Sequence, residues 1–314
     1  MASTLVTGGA GFIGSHVAQR LVELGHRVRV LDNFSTGNAV NLVEIRERID
    51  LLEADVRDAR ACELACEGVD YVFHQAAIPS VPKSVDDPQA SHDANINGTF
   101  NLLRAAVVQK VRRFIYAGSS SAYGESPDPI KHEGILPLPL SPYAVQKLTG
   151  ELYARAFCEC YRLETISLRY FNVFGARQDP ASEYAAAIPA FITKILRGAA
   201  PVVYGDGSQT RDFTFIDNVV HGNMLAMEAA KTGGEAVNVA CGESISVNGV
   251  IEEIQRRLGS AVTPTNVRRR PGDVVHSCAD IRLAKELLGY EPLVGFGEGL
   301  TRTIDYYKTV AEQA

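Results

Sequence analysis

The stretch STLVTGGAGFIGSHVAQRL, residues 3–21, decides the fold of this chain. It opens with a short apolar run that ends at glycines, and it then places Ile13, Val17 and Leu21 at helical spacing. Glycine permits a tight turn, and it lets an anionic group approach the amide groups at a helix N-terminus. The stretch therefore predicts a strand, a tight turn and a helix, with room for an anion at the turn.

Strand and helix continue to alternate through the first half of the chain. Further strand-like runs occupy residues 27–32, 49–53, 69–74, 112–117 and 164–169, and helical stretches lie near 58–67, 89–110 and 142–161. This alternation is typical of a parallel sheet with helices on both faces. We therefore expect an α/β fold with a doubly wound parallel sheet of the Rossmann type.

The second half is more mixed, and no linker separates it from the first. Helices are expected near 185–197, 217–230, 246–258, 281–288 and 298–311, and strands at 202–204 and 236–240. We expect this part to form a smaller mixed α/β domain over the carboxyl edge of the sheet, where doubly wound folds bind ligands.

Composition excludes several classes of protein. The 314 residues are 46% hydrophobic and 22% charged, as in ordinary globular proteins, and the net charge of −6 argues against nucleic acid as the main partner. No apolar run approaches the ~18 residues of a membrane helix, and the N-terminus does not resemble a signal peptide. Six scattered cysteines and seven histidines show neither a disulfide framework nor metal-ligand spacing. We expect a cytoplasmic protein that binds no metal and no membrane.

The first turn and the end of the second strand together predict a dinucleotide site. Gly8, Gly11 and Gly14 form a G-x-x-G-x-x-G motif, and Asp32 can accept hydrogen bonds from both ribose hydroxyls of an adenosine. Asp32 would repel a 2′-phosphate, and the NFSTG that follows offers no arginine to bind one, which favours NAD over NADP. Asp55, at the end of the third strand, would either hold the adenine amino group or cap the next helix.

Tyr143 and Lys147 are the candidate reacting groups. They lie four residues apart, one helical turn, after a Ser141 N-cap and a Pro142 suited to the first helical position. A tyrosine with a pKa of ~10 needs a fall of about three to act as a base near neutral pH, and a neighbouring ammonium supplies energy of that order. The alternative is an exposed Tyr–Lys pair on a surface helix.

Three serines, Ser119, Ser120 and Ser121, follow the strand-like run at 112–117. One of them would hydrogen-bond a substrate hydroxyl at the carboxyl end of the sheet. The alternative is ordinary turn chemistry.

Taken together, the motifs resemble the extended short-chain dehydrogenase/reductase superfamily, in particular its NAD-dependent nucleotide-sugar 4-epimerases. They are TGGAGFIG (7–14), DNFSTG (32–37), ADV (54–56), HQAA (74–77), NINGT (95–99), SSSAYG (119–124), YAVQK (143–147), RYFNVFG (169–175), YGDGSQTRDFTFID (204–217) and RRPGD (269–273). The resemblance implies an NAD-binding domain at 1–172, joined by part of 213–240, and a mostly nucleotide-sugar-binding domain at 173–314.

The resemblance also implies a mechanism and a set of cofactor residues. Tyr143 would take the proton of the sugar 4-hydroxyl during a transient oxidation to a 4-keto sugar. Lys147 would hold the nicotinamide ribose and lower the pKa of Tyr143, and Ser119 would be the family's catalytic Ser/Thr. The cofactor contacts that it implies are Gly8, Gly11, Phe12, Ile13, Gly14, Asp32, Asn33, Phe34, Ser35, Thr36, Gly37, Asp55, Val56, Gln75, Ala76, Ala77, Asn95, Tyr143, Lys147 and Tyr170.

For the substrate, the resemblance implies contacts to a UDP-sugar. Asn172, Arg211 and Arg270 would bind the diphosphate. Asp273 would bind the nucleotide ribose, and the aromatic ring of Tyr204 would lie against the uracil. The implied substrate-binding residues are completed by Ser119, Tyr143, Val203 and Ser277. Ser277 stands where hexose-restricted 4-epimerases carry a tyrosine, so the serine would leave room beside the sugar.

We therefore expect a 4-epimerase that interconverts UDP-glucose with UDP-galactose, and UDP-N-acetylglucosamine with UDP-N-acetylgalactosamine. A UDP-uronic acid 4-epimerase or decarboxylase is one alternative, and a non-catalytic NAD-binding regulator is another. The family pairs two helices per subunit, here 89–110 and 142–161, so a homodimer is expected. The second helix carries apolar side chains around much of its girth, which requires cover on more than one side.

Overall fold

The computed structural model describes residues 1–180, 187–268 and 275–313. Its strands are β1 (Ser3–Thr7), β2 (Arg27–Asp32), β3 (Ile49–Glu53), β4 (Tyr71–His74), β5 (Arg113–Ser119), β6 (Ile130–Lys131), β7 (Glu164–Tyr170), β8 (Val173–Phe174), β9 (Val202–Tyr204), β10 (Thr210–Arg211), β11 (Thr214–Phe215), β12 (Glu235–Val239), β13 (Ile245–Ser246), β14 (Thr265–Val267) and β15 (Cys278–Ala279).

The helices flank and extend this set of strands. They are α1 (Phe12–Glu23), α2 (Ala59–Cys66), α3 (Val81–Asp86), α4 (Pro88–His92), α5 (Gly98–Val108), α6 (Pro142–Tyr161), α7 (Ala187–Leu196), α8 (Ile216–Glu228), α9 (Val247–Leu258), α10 (Arg282–Leu288) and α11 (Phe296–Gln313). A π-helical turn, Asp93–Asn97, joins α4 to α5, and 3-10 helices occupy Ala39–Arg48 and Ser120–Tyr123. Over the described ranges, no helix has both the length and the apolar character needed to cross a lipid bilayer.

Seven parallel strands form the main sheet, in the order β12–β7–β5–β4–β1–β2–β3. The central strands are almost wholly buried, with Leu5, Val6, Val72 and Phe73 at 0% exposure, as expected of a sheet covered on both faces. The strand order reverses between β1 and β4, so the loops after these two strands diverge and leave a crevice between them. The predicted doubly wound α/β fold is confirmed.

Two layers of helices cover the sheet. On one face, Val17 and Leu21 of α1 pack in the same core as Val219 of α8. On the other face, Leu102 of α5 and Phe157 of α6 share a second core, to which α2 also contributes. The sheet is thus buried on both sides, and only its two ends are left to bind ligands.

Short strand pairs lie beyond the carboxyl edge of the sheet. β8 pairs with β11, β9 with β14 and β6 with β15, all parallel, whereas β10 and β13 are antiparallel. Helices α7, α9 and α11 pack against one another in this smaller part. The chain re-enters the main sheet at β12, which pairs with β7. The proposed domain boundaries stay a prediction.

The six cysteines all carry free thiols. Cys62 and Cys66 are buried in α2, and burial raises the pKa of each thiol to about 12, so both are protonated and unreactive. Cys160, by contrast, is exposed.

His74, the last residue of β4, is held neutral in the core. Its Nδ1 lies 2.7 Å from the Thr7 hydroxyl and its Nε2 lies 2.8 Å from the Thr99 hydroxyl. Burial, aided by the charge of Lys147, lowers the pKa of His74 to about 3. In an unfolded chain a histidine has a pKa of about 6.5, so the unfolded state binds the extra proton between these two values.

The free energy of unfolding should therefore fall as the pH is lowered from 6.5 towards 3. Between pH 6.5 and pH 5, a buried neutral histidine of this kind lowers the free energy of unfolding by about 2 kcal/mol. The free energy of unfolding is measured by denaturant titration at pH 7 and at pH 5. Its decrease between the two pH values should be smaller in His74→Gln than in the wild type by about 2 kcal/mol. The control is His92→Gln at an exposed histidine. Equal losses in the wild type and in His74→Gln would contradict this role.

Candidate active site

The glycine turn brings the carboxyl ends of β1 and β4 into backbone contact. Gly8 has a φ of +66°, and a Cβ there would lie 2.7 Å from the backbone N and Cα of Ala76. A Cβ on Gly14 would lie 2.1 Å from the carbonyl oxygen of Gly8. Gly11 is the N-cap of α1 and supplies no capping side chain, so the amide groups of the first turn remain available to an anion.

Asp32 ends β2 beside the same turn. Its two carboxylate oxygens accept hydrogen bonds from Ala10 N and Phe34 N, both at 2.8 Å. An ionised carboxylate has about four lone-pair sites, so two remain for further donors. Burial, opposed by these two backbone bonds, raises the pKa of Asp32. Two fixed contacts and two free sites fit a vicinal pair of ribose hydroxyls.

The residues present thus fit a dinucleotide at this edge of the sheet. The uncapped start of α1 suits a pyrophosphate, and the remaining capacity of Asp32 suits the adenosine ribose. The other predicted cofactor residues of this region lie in the first turn of α1 or in the loops after β2, β3 and β4: Phe12, Ile13, Ser35, Thr36, Gly37, Val56 and Ala77.

Asp55 is more heavily engaged than the sequence suggests. Its oxygens accept from the backbone and guanidinium of Arg57, at 2.7–3.0 Å, and from Asn33 Nδ2 at 2.6 Å. The Arg57 side chain is the largest cause of a pKa lowered to about 2. The residue that caps α2 is Asp58 rather than Asp55. An adenine amino group would have to replace one of the present donors, so the predicted adenine contact stays a prediction.

Two polar clusters line the crevice beyond β4. Gln75 Nε2 donates to the Tyr170 hydroxyl at 3.0 Å and to Asn223 Oδ1 at 3.2 Å. Asn95, in the π-helical turn, accepts from Ile78 N at 2.8 Å. Side chains from the loop after β4, from β7, from α8 and from the π-helical turn therefore contribute to the carboxyl end of the sheet.

Ser119, Tyr143 and Lys147 converge at the end of β5. Ser119 is its last residue, and its hydroxyl lies near enough to Tyr143 to act to lower the pKa of that phenol. Lys147 is buried, and its Nζ donates to the carbonyl oxygen of Ala117, two residues before Ser119, at 2.9 Å. The expected N-cap of α6 is present, since the Ser141 hydroxyl accepts from Ala144 N at 3.2 Å. The three predicted catalytic residues are thus brought together.

The electrostatics differ from the expectation in one respect. Burial raises the pKa of Tyr143, although its hydrogen bond to Ser119 acts in the opposite direction. Burial also lowers the pKa of Lys147 to about 8. The expected lowering of the Tyr143 pKa by Lys147 is not seen, because burial of the phenol is the largest cause of the shift and Lys147 makes no resolved contribution to it.

Two further side chains that the sequence analysis missed hold α6 in place. The Ser84 hydroxyl, on α3, accepts from Tyr143 N at 3.0 Å. Gln146 donates to the Ser91 hydroxyl at 2.9 Å and accepts from Asn95 Nδ2 at 2.8 Å. The only sequence signal was a glutamine on the buried face of the helix. The partners come from segments more than 50 residues away and could not be identified from the sequence.

The predicted substrate residues surround β9, β10 and β11. Asn172, at a φ of +26°, donates through Nδ2 to the carbonyl oxygen of Asp212 at 3.2 Å. Arg211 donates to the carbonyl oxygen of Val275 at 3.2 Å, and Ser277 N donates to that of Thr210 at 3.1 Å.

The two remaining predicted substrate residues of β9 differ in exposure. Val203 is buried, and Tyr204 is partly exposed at the strand's end. Arg270 and Asp273 lie outside the described residues.

Comparison with known proteins identifies a family for this chain. The family model described as "NAD dependent epimerase/dehydratase family" matches residues 4–240. A putative UDP-glucose 4-epimerase of Methanocaldococcus jannaschii is 38% identical over 97% of this chain and 98% of its own length.

Two solved structures are similar over nearly their whole length. A UDP-N-acetylglucosamine 4-epimerase of Methanobrevibacter ruminantium, in complex with UDP-N-acetylmuramic acid, has a TM-score of 0.94 and 39% identity, with 98% and 99% of the two chains covered. A UDP-glucuronic acid 4-epimerase of Bacillus cereus, in complex with UDP-glucuronic acid and NAD, has a TM-score of 0.91 and 34% identity, with the same coverage. With its glycine turn, its Asp32 and its Ser–Tyr–Lys cluster, this chain belongs to the NAD-dependent epimerase/dehydratase family.

Proposed function

We propose that this protein is a UDP-sugar 4-epimerase, and that it acts on both UDP-hexoses and UDP-N-acetylhexosamines. The observation that carries the proposal is the convergence of Ser119, Tyr143 and Lys147 at the carboxyl end of β5, next to the dinucleotide site. NAD, when bound, supplies a reversible hydride acceptor and a positive charge on its nicotinamide ring.

Each of the three side chains has a distinct task. Tyr143 removes the proton of the sugar 4-hydroxyl and later returns one to the 4-keto oxygen. Ser119 hydrogen-bonds to Tyr143 and bridges it to that oxygen. Lys147 keeps one N–H on Ala117 O, and its ammonium has two further donors for a ribose. The hydrogen removed from C4 returns on the opposite face, so the reaction has no net redox change.

The substrate end of the site supports a nucleotide diphosphate sugar. Asn172 and Arg211 provide an amide and a guanidinium, the donors that suit diphosphate oxygens, and the ring of Tyr204 suits the uracil. We also propose that Arg270 and Asp273 contribute to this subsite. The relatives named above support a UDP-sugar, and because one of them is named for UDP-glucuronic acid, a uronic acid substrate is the alternative that must be tested.

We further propose a homodimer, formed through α5 and α6. On α6, Val145, Leu152 and Tyr153 are 46%, 57% and 37% exposed, and Val108 at the end of α5 is 61% exposed. The face of α6 opposite Val145 and Leu152 carries the buried Lys147 and Ala154. Apolar side chains on both faces of one helix are consistent with cover by the sheet on one side and by a second subunit on the other.

Tyr143→Phe should lose most turnover while NAD binding and folding are kept. Removal of a general base costs about 10²–10⁴-fold in rate, and Ser119→Ala should cost less because it removes a bridging hydrogen bond. Turnover is measured with UDP-glucose and no added cofactor. The matched control is Tyr161→Phe, at an exposed tyrosine near the end of the same helix. Near-normal turnover in Tyr143→Phe would remove this residue from the mechanism.

Substrate breadth should depend on Ser277. An N-acetyl group adds three heavy atoms to the sugar, a volume that a close-packed wall cannot absorb. The wild type should therefore convert UDP-N-acetylglucosamine and UDP-glucose, and Ser277→Tyr should lower kcat/KM for the acetylated sugar by at least roughly tenfold, with a much smaller effect on UDP-glucose.

A panel of UDP-sugars, with products resolved by chromatography, measures this breadth. His276→Tyr, at the neighbouring exposed position, is the control for added bulk. Turnover of UDP-glucuronic acid alone would replace the proposed substrates with a uronic acid, and no turnover of any UDP-sugar would favour a regulator.

The homodimer should be visible by equilibrium sedimentation at micromolar concentration. Leu152→Glu places a charge at the centre of the proposed interface and should shift the protein to monomers, because an unpaired charge is costly to bury. Leu136→Glu, at a leucine that is 77% exposed outside the helices, should leave the dimer unchanged. A monomeric wild type would exclude this interface.

A further inference from the structure

A single carboxylate joins three segments on the substrate side of the site. Asp212 lies between β10 and β11, and its side chain is buried. Its Oδ1 accepts from Cys241 N at 2.9 Å, and its Oδ2 accepts from Gly242 N at 2.9 Å and from Ala279 N at 3.2 Å. Cys241 and Gly242 follow β12, whereas Ala279 ends β15. The Asp212 side chain therefore holds the loop after β12 and the β15 segment against the link from β10 to β11.

The same segments carry side chains that we assign to the diphosphate and the sugar. Arg211 directly precedes Asp212, and its Nη1 donates to the carbonyl oxygen of Val275 at 3.2 Å. The backbone carbonyl oxygen of Asp212 accepts from Asn172 Nδ2 at 3.2 Å. Ser277 lies immediately before β15, in the segment that begins at Val275. The positions of these three proposed substrate residues thus depend on the segments that the Asp212 carboxylate joins.

The set of donors around this side chain requires an ionised carboxylate. An ionised carboxyl group only accepts hydrogen bonds and has about four lone-pair sites, enough for three backbone N–H groups. A carboxamide of the same shape would place an NH₂ group against at least one of these donors. Burial raises the pKa of Asp212 to about 6, although the three backbone hydrogen bonds act to lower it. Near neutral pH the side chain is therefore mainly ionised, and hydrogen bonds to an ionised acceptor are stronger than those between neutral groups.

We propose that Asp212 is a positioning residue for the UDP-sugar, and that its carboxylate holds Arg211, Asn172 and Ser277 in the arrangement that binds the diphosphate and the sugar together. This inference rests on the proposed UDP-sugar substrate. Asp212 is 0% exposed, so it acts through the backbone of its neighbours and not by contact with the substrate. Loss of its hydrogen bonds would lower the fraction of molecules with a binding-competent site, and the apparent Kd rises in inverse proportion to that fraction.

Asp212→Asn should weaken UDP binding at least roughly tenfold, because one hydrogen bond to a charged group is worth a factor of that order. The KM for the UDP-sugar should rise by a similar factor. The kcat and the amount of bound NAD should stay close to the wild-type values, since the reacting groups lie on β5 and α6, outside the segments that Asp212 joins.

Calorimetric titration of the NAD-loaded protein with UDP measures the Kd without turnover. Thr303→Val, at a buried threonine of α11 that donates to the carbonyl oxygen of Gly299, controls for the loss of a buried hydrogen bond and should bind UDP as the wild type does. An unchanged Kd in Asp212→Asn, or a loss confined to kcat, would overturn the proposal.

Amide hydrogen exchange in the wild type is a second test, which no folding defect of a variant can affect. Molecules in which the Asp212 bonds are broken should not bind UDP. At a UDP concentration of about 100 times Kd, exchange of the three amides that donate to Asp212 should therefore slow by up to about 100-fold. The matched control is Ser3 N, which donates to the Asp70 carboxylate at 2.7 Å at the amino edge of the sheet and should exchange at the same rate with and without UDP.

The outcomes separate this inference from the proposed function. Unchanged exchange of the three amides on addition of UDP would overturn the inference, and so would a wild type and an Asp212→Asn variant that bind UDP equally well. In both cases the wild type still binds UDP, so the proposed substrate class stands. A wild type that binds no UDP would refute the proposed substrate class and this inference with it.

Discussion

Backbone contact between the ends of β1 and β4 is the constraint on which the rest of the site depends. Gly8 approaches Ala76, and Gly14 approaches Gly8, at distances that leave no space for a side chain. The strand order of the sheet reverses at this point. The loops after β1 and β4 therefore diverge and leave a crevice next to the backbone contact. The Asp32 carboxylate then ties the β2 loop to the turn through Ala10 N. The cofactor end of the site is therefore set mainly by backbone packing, which explains its concentration of glycines.

At the catalytic end, burial favours the uncharged form of each titratable side chain. It lowers the pKa of His74 to about 3 and that of Lys147 to about 8, and it raises the pKa of Tyr143. The proposed chemistry needs the opposite for Tyr143 and Lys147, namely a phenolate and an ammonium. At Tyr143 the Ser119 hydroxyl opposes burial only in part, whereas the lowered pKa of Lys147 has burial as its cause. A positive cofactor ring would favour the Tyr143 phenolate, because a nearby charge of opposite sign stabilises an anion.

Strong local sequence patterns predict much of the fold and of the candidate site. The features that were not predicted depend on tertiary contacts. The strands of the main sheet and helix α6 follow from apolar runs, helical spacing and a Ser-Pro start, and they agree with the sequence to within a few residues. Helix α3 was missed because six residues are too few to show a period, although Ser80 caps it and Pro82 lies in its first turn. The two-residue strands carry no pattern of their own, and the Ser84 contact depends on folding. The effect of burial on the Tyr143 pKa could not be predicted, because helical spacing reveals which side chains share a face and not how much water surrounds them.

Helix α6 carries two of the proposed reacting groups, Tyr143 and Lys147, and its depth against the sheet is set at Gly150. A Cβ at that position would lie 2.2 Å from the Tyr116 hydroxyl, which itself donates to the carbonyl oxygen of Lys147 at 3.3 Å. The helix therefore rests directly on β5, one turn after Lys147, and this close packing brings Nζ within reach of Ala117 O. A side chain at Gly150 would have to displace either the buried Tyr116 ring or the helix, and displacement of the helix would move Tyr143 and Lys147 relative to β5. The geometry of the reacting groups thus depends on a residue that takes no part in the chemistry, through the same exclusion of side chains that shapes the cofactor turn.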